Sequence, residues 1–562
     1  MNQRIKDSGA IALLILLFGF AVNLPFVGQA FHIDDRLNLY MSRQILRDPG
    51  NPYDFSMVFL GGKTRKFYEF YANPPLAGYV LAVPLKVFGE GEVPLHLTFT
   101  LFTMLAGFCM YLLAMRFGLE KREGRFAAVL MLMSPGVFVM GHTIMPDIQL
   151  LTLMLAAVVV FLRAEDNGKP LPYLAAGLLA ALATLTRYSG LILAPLFLVH
   201  TLLRHRRMKI MPVAAMAMPV VALGAWHLIA VSLYGAKYWS TIMSLEVGGN
   251  RIVKAAMQVL ASVTQLGGAG VFAPALLLVL PVLPVKARRT LLAAVGGVSL
   301  VGAGILISSF AHTPGQAVQF VLMAFPAFAF LGLLLISVRG WIKSRPEFAF
   351  LVFWIFFLIL FNSSFLHTAV KYNILELPPL IILFIWLLGR AKEKGIKGKQ
   401  KAKSKPSTSL LFGTAVLTAG LGILVAAGDT RFANAYRSFA DYAIKIYKTG
   451  TGSLYYGGDW GWDYYMNKAG LKPVISTGMP ELKAGDIAIT PSLSYPQPLP
   501  KDKRDRAIVE RQIAFLDWYP VRTHNVWAKA FFYSNNITNS IGVMPFSFSS
   551  APLEIFSIVK IK

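Results

Sequence analysis

Two adjacent carboxylates, Asp34 and Asp35, lie only a few residues beyond the first apolar run of the chain. Like charges side by side at the edge of a low-dielectric region repel each other and lose hydration. They need a cation, hydrogen-bond donors or a proton. A solvated loop or a helix N-cap would meet that need, and so would a general base that takes a hydroxyl proton. A third acid, Asp147, follows Pro146 in the stretch that begins at His142. Proline and an acid in the first turn also suit a plain helix start. His142 beside it is a candidate metal ligand or a structural ring. Cations recur at comparable places: Arg187, Arg251, Lys254 and Lys371, with Arg43 downstream of the acid pair. Any one of them can simply snorkel to the interface. Together, carboxylates beside cations suit an anionic phosphate ligand and a group that must lose a proton.

The elements that must position these residues are membrane helices. The chain has 562 residues, 56% hydrophobic and only 15% charged, with a mean hydropathy of +0.57. Soluble domains carry about 25% charged residues. The net charge of +26 would suit nucleic acid only on a soluble fold with a basic surface, so a nucleic-acid partner is not expected. The single cysteine, Cys109, lies in an apolar run and excludes a disulfide framework or a cysteine metal site. No Walker-type phosphate loop, no GxGxxG between strand and helix and no HExxH occurs, which argues against an ATP-driven machine.

A span needs about 20 mostly apolar residues. Thirteen runs qualify as candidates: 10–28, 94–115, 126–144, 147–162, 171–186, 189–203, 211–233, 269–285, 290–308, 316–337, 347–365, 371–389 and 408–427. Residues 76–88 are apolar but too short to cross, and read as a helix lying in the interface. With the N-terminus inside, the alternating inner loops total 63 residues and hold 26 Lys and Arg against six acids. The rest of the chain holds 28 basic and 22 acidic residues. This is the asymmetry that sets orientation in membranes. The basic segment 391–406 reads as a cytoplasmic linker that touches anionic lipid. Outside lie the loop 29–93, the loop 234–268 and a tail, 428–562. Alternating apolar segments at Asp486–Thr490, Ile541–Phe546 and Ile555–Ile561 make that tail a small α/β domain. The expectation is therefore an all-α polytopic membrane domain, 1–427, followed by a small extramembrane α/β domain, 428–562. The aromatic and acidic run from Tyr455 to Tyr465 suits either the core of that domain or carbohydrate stacking.

At this point the motifs resemble a known family, the GT-C type integral-membrane glycosyltransferases. The likeness is greatest to glycosyltransferase family 39, with its protein O-mannosyltransferase and lipid A aminoarabinose transferase relatives. The resemblance is strongest over 10–205. It rests on Asp34-Asp35 followed by a helix that keeps Arg43; on Asn73-Pro74-Pro75-Leu76 before the interfacial helix; on Asp147; and on Thr186-Arg187 after a short Ala/Gly/Leu-rich run. The family's second acid is Glu where Asp35 stands, its early arginine is Leu37, its Lys-Pro-Pro has Asn73 for the lysine, and its Thr-Lys has Arg187. Lys371-Tyr372 through Leu377-Pro378 resembles the family's Arg-Tyr-Leu-Leu-Pro helix start.

The resemblance implies sugar transfer from a polyprenyl-phosphate donor at the outer face of a membrane. The acceptor would be a lipid, a glycan or a protein. Asp34 would act as base, with Asp35 or Asp147 orienting the acceptor or holding a divalent metal. Arg187, Lys371, Arg251 and Arg43 would hold the donor phosphate, and Asn73, Tyr372 and His142 would position substrate. A bacterial inner membrane is the expected location. Two other classes remain open from the residues alone. A polytopic transporter or flippase also carries charges in its membrane region, and an assembly subunit could use the fold without catalysis.

Overall fold

The computed structural model describes all residues except Met1, Gly61, 206–208, 239–250, Leu366, 396–406, 448–451, 476–478, 480–481, Pro498, 501–506 and 538–539. The linker 391–406 thus falls largely outside the described residues.

The long apolar runs fold as helices because a chain with no water to satisfy its N–H and C=O groups must pair them internally. In chain order these are α1 (Asn2–Asn23), α2 (Asp35–Arg47), α3 (Leu76–Phe88), α4 (Glu92–Arg116), α5 (Lys121–Met133), α6 (Pro135–Met140), α7 (Asp147–Asn167), α8 (Pro170–Thr186), α9 (Leu193–His205), α10 (Ile210–Tyr234), α11 (Arg251–Ala269), α12 (Val285–Phe310), α13 (Pro314–Ser344), α14 (Pro346–Ser363), α15 (Val370–Asn373), α16 (Leu377–Gly395) and α17 (Thr408–Tyr447). Leu13, Leu14 and Leu17 on α1, Leu300 and Val301 on α12, and Val416 and Leu417 on α17 face outward, as lipid-facing residues do. The protein is a multi-pass membrane protein, and its helices carry the site at their ends.

The span count differs from the thirteen runs. Among the described residues nine helices are long and apolar enough to cross, or ten if one bent pair counts as a span. Run 126–144 breaks at Ser134 before Pro135, which cannot continue the i to i−4 ladder. Runs 171–186 and 189–203 fold as the short helices α8 and α9. The expected outer loop 234–268 is also different, because it contains α11. That helix escaped the hydropathy reading through its polar stripe. Gln258, Ser262 and Gln265 bury that stripe against Asn535, Thr368 and Asn373 respectively. Residues 76–88 do form one helix, α3.

The first loop and the segment after α17 form a strand-containing region, the expected outer region. The hairpin β1 (Ser56–Phe59) and β2 (Lys63–Lys66) rises from the first loop. Beyond α17 come β3 (Leu454–Tyr456), α18 (Trp460–Lys468), β4 (Lys472–Pro473), β5 (Ile487–Pro491), β6 (Ala507–Phe515) and β7 (Glu554–Ile561). They form a five-stranded mixed sheet in the order β4-β3-β5-β7-β6. The predicted segment Ile541–Phe546 is mostly loop, with strand only at Ser540–Ile541. Residue 428, where composition shifts, lies inside the continuous helix α17, which packs on α18.

Candidate functional site

Four charged side chains from distant parts of the chain meet at helix ends. Lys371 Nζ donates to Asp34 Oδ2 at 2.5 Å, and Arg187 Nη1 donates to Asp147 Oδ1 at 2.5 Å. The Tyr372 ring joins the two pairs, with Arg187 Cζ 4.8 Å and Lys371 Nζ 5.8 Å from its centroid.

Local sequence explains how each is presented. Asp34 is the N-cap of α2 but makes no side-chain cap bond, so its carboxylate is free for Lys371. Its neighbour Ile33 has φ 49, a left-handed conformation that costs a β-branched residue energy and persists only where surroundings enforce it. Asp147 opens α7, where the helix dipole favours a negative charge. Arg187 ends α8 in an extended conformation. The chain then folds back so tightly that a Cβ on Gly190 would sit 2.4 Å from the Ala183 carbonyl carbon. Only glycine permits that turn. Lys371 stands on α15, whose Val370 N–H donates to the Phe532 carbonyl of the outer region at 2.9 Å.

The site is half enclosed. The Asp34 side chain is 39% exposed, whereas Lys371 is 5% and Asp147 2% exposed. Burial alone would raise the Asp34 carboxyl, but Lys371, then Arg187 and His367, hold it below the usual carboxylate range. Burial and the Lys371 charge push His367 down to about 4, so it is neutral at pH 7, with Nε2 3.1 Å from the Tyr372 hydroxyl. Arg187 Nε and Asp147 Oδ2 are both buried without a hydrogen-bond partner. One buried donor and one buried acceptor of the described residues are thus left unpaired at the same ion pair. The cleft lined by Asp147, Arg187, Lys371 and Tyr372 shares Tyr188 and Phe365 with an apolar pocket of about 390 Å³. Ala72, Leu191, Ile192, Pro195, Leu223, His227, Phe357 and Phe361 line the rest of that pocket.

The other expected site residues lie elsewhere. Asp35 is fully buried and its oxygens accept from the His32 and Ile144 backbone N–H groups, both at 3.0 Å. It is a clamp between loops and does not face the cleft. Arg43 pairs bidentately with Glu90, two and a half turns along α2 from Asp34. His142 stacks on Phe26 at 5.0 Å and meets Asn23. Asn73 accepts from Tyr53 through its carbonyl at 2.5 Å, and its side-chain oxygen is buried and unpartnered. Arg251 heads α11, but its side chain is outside the described residues. Among the described residues no group of three His, Cys, Asp or Glu is placed to hold a metal.

Two buried clusters escaped the sequence reading. His32 Nε2 lies 3.0 Å from Asp429 Oδ2, which also accepts from Tyr533 at 2.7 Å, while Thr523 donates to Asp429 Oδ1 at 2.8 Å. Arg36 bridges Asp459, at 2.8 Å, and Asp463. Both clusters bind the Asp34 loop to the outer region. Asp429, an acid inside an apolar helix, was the available signal.

Residues 72–233, the segment holding Asn73, Asp147 and Arg187, match the family profile described as dolichyl-phosphate-mannose-protein mannosyltransferase. Comparison with curated proteins finds no match. Among solved structures, ArnT from Cupriavidus metallidurans bound to undecaprenyl phosphate is similar at 15% identity and a TM-score of 0.48, over 87% of this chain and 93% of that one. The oligosaccharyltransferase AglB from Archaeoglobus fulgidus, in complex with an inhibitory peptide and a dolichol-phosphate, is similar at 16% identity and a TM-score of 0.47. That likeness covers 84% of this chain but only 64% of AglB. The S. cerevisiae protein O-mannosyltransferase Pmt1-Pmt2 complex bound to the sugar donor is similar over 43% of this chain, at 14% identity and a TM-score of 0.31.

Proposed function

We propose that this chain, which resembles GT-C glycosyltransferases and matches a mannosyltransferase profile over 72–233, moves a sugar from a polyprenyl-phosphate donor to an acceptor at the outer face of a bacterial inner membrane. One observation carries the reading. Two buried cations, Lys371 and Arg187, face a cleft that shares its wall with an apolar pocket, and the half-exposed carboxylate Asp34 stands beside them. A lipid phosphate needs that combination of apolar track and charged terminus.

The donor phosphate binds between Lys371 and Arg187, and the unpartnered Arg187 Nε adds a donor to it. As Lys371 turns toward the phosphate, Asp34 loses its ion pair and becomes a stronger base. Asp34 takes the acceptor's proton, the acceptor oxygen attacks the anomeric carbon, and the lipid phosphate leaves with inversion. Lys371 and Arg187 stabilise the charge that develops on the leaving oxygen. Asp147 Oδ2 accepts from a sugar hydroxyl. The basic segments between the apolar runs support an orientation with the site outside.

The test is transfer in proteoliposomes, using undecaprenyl-phosphate sugars as donors and a total membrane extract as acceptor. The wild type transfers label. Asp34→Asn folds, melting below the wild type because it leaves Lys371 without its partner, and transfers none; near-normal turnover in that variant overturns the assignment. Mass spectrometry of a strain lacking the protein then identifies the acceptor by the sugar it has lost.

A further inference from the structure

A second pocket, of about 430 Å³, lies between α2, the hairpin strand β1 and the outer region. Cavities of roughly 300–1,000 Å³ hold small ligands. Its lining is mixed. Tyr40, Phe55 and Tyr456 supply rings, Gln44 and Asn467 supply amides, Asp463 supplies a carboxylate, and Arg43 and Arg47 supply guanidinium groups.

Three features point to its ligand. First, Asp463 is only 4% exposed, and its Oδ1 is buried with no hydrogen-bond partner, while its Oδ2 is taken by Arg36. A buried carboxylate oxygen left unpaired calls for a donor. Second, apart from Arg47 at the exposed rim, the charges here are internally committed. Arg43 is held by Glu90 while its guanidinium lies 4.9 Å from the Tyr40 ring centroid, and Asp463 is held by Arg36. The enclosed part of the pocket therefore offers no unpaired cation, and the remaining lining charge, Arg47, stands at the rim. Third, rings beside planar amides and a carboxylate match a pyranose, which offers C–H faces to aromatics and hydroxyls to acceptors. The pocket also runs beside the same helix that Asp34 caps. From Asp35 to Gln44 the helix advances about 13 Å, a distance a short oligosaccharide can span and a single sugar cannot.

We infer that this pocket binds a saccharide portion of the acceptor, holding the glycan along α2 so that its end reaches Asp34. The inference rests on the proposed transfer reaction for its direction, but its first test is binding alone. Full-length protein in lipid nanodiscs is applied to an array of defined oligosaccharides and, as a separate arm, to an array of peptides. The wild type and Asp34→Asn capture the same saccharides. Asn467→Ala and Arg47→Ala, at the exposed rim, weaken the capture about tenfold each, the value of one or two polar contacts. Ser56→Trp, which fills the pocket from β1, abolishes it. All three variants keep wild-type binding of undecaprenyl phosphate. No saccharide captured above empty nanodiscs, capture of peptides only, or capture unchanged by Ser56→Trp each overturns the inference. Saccharide capture without any sugar transfer would refute the proposed reaction and leave the pocket assignment standing. Where transfer is measured, Asn467→Ala raises the acceptor KM and leaves kcat and the donor KM unchanged.

Discussion

Removing Arg187 should damage the protein twice, and the two damages can be separated. The guanidinium meets Asp147 at 2.5 Å, with side chains 8% and 2% exposed. Charge centres about 4 Å apart at an effective dielectric of about 20 interact by about 4 kcal/mol. Taking away one partner of such a buried pair costs about 3–5 kcal/mol, because the other charge is left uncompensated. Arg187→Gln therefore lowers unfolding stability by that amount, and Asp147→Asn does likewise by stranding Arg187. The double variant leaves no stranded charge. Its loss is smaller than the sum of the single losses by about 3 kcal/mol. Transfer behaves differently. Arg187→Gln removes a donor to the leaving phosphate and costs about 10²–10³-fold. The double variant recovers stability but not rate, since the phosphate still lacks its cation. Thermal and denaturant unfolding of the four proteins in nanodiscs gives the first cycle, and initial transfer rates give the second. Strictly additive stability losses would refute the coupling. Recovery of rate along with stability in the double variant would refute a direct role for Arg187 at the phosphate.

The remaining predictions concern how the Asp34 loop is held. Burial would lower the pKa of His32, but Asp429 and then Asp35 raise it from 6.5 to about 10. Its stabilising contribution is complete below pH 6.5 and is lost as pH rises through about 10. The melting temperature should fall across that window, and His32→Gln should flatten the fall; an unchanged slope contradicts the assignment. Arg36→Met leaves Asp459 and Asp463 facing each other without a cation and should cost more than about 3 kcal/mol, measured by denaturant unfolding, whereas Asp463→Asn keeps the Arg36–Asp459 pair and should cost much less. A Cβ on Gly461 would stand 2.1 Å from the Phe31 carbonyl oxygen, so Gly461→Ala should push the outer region off the Asp34 loop. Hydrogen exchange at residues 28–35 should rise and transfer should fall; unchanged exchange counts against that contact.

The primary structure by itself determined the membrane region, because hydropathy and loop charge are local quantities. The apolar runs found as helices and the basic loops between them needed no knowledge of neighbours. Asp34, Asp147, Arg187 and Lys371 were also visible alone, since a charge at the border of an apolar run is costly and therefore conspicuous. What each charge meets is not local. Lys371 and Asp34 are 337 residues apart, and His32 and Asp429 are 397 apart. Only the packing of α2 against the outer region, and of α15 beside α6 and α11, decided those pairs. The same packing separated neighbours in sequence: Asp34 meets Lys371 while Asp35 turns inward to clamp a loop, because adjacent residues at a helix start point in different directions. It also hid α11, whose polar stripe is satisfied by Asn535, Thr368 and Asn373. Hydropathy counts such groups as exposed to water, and only tertiary contacts reveal that they are buried and paired.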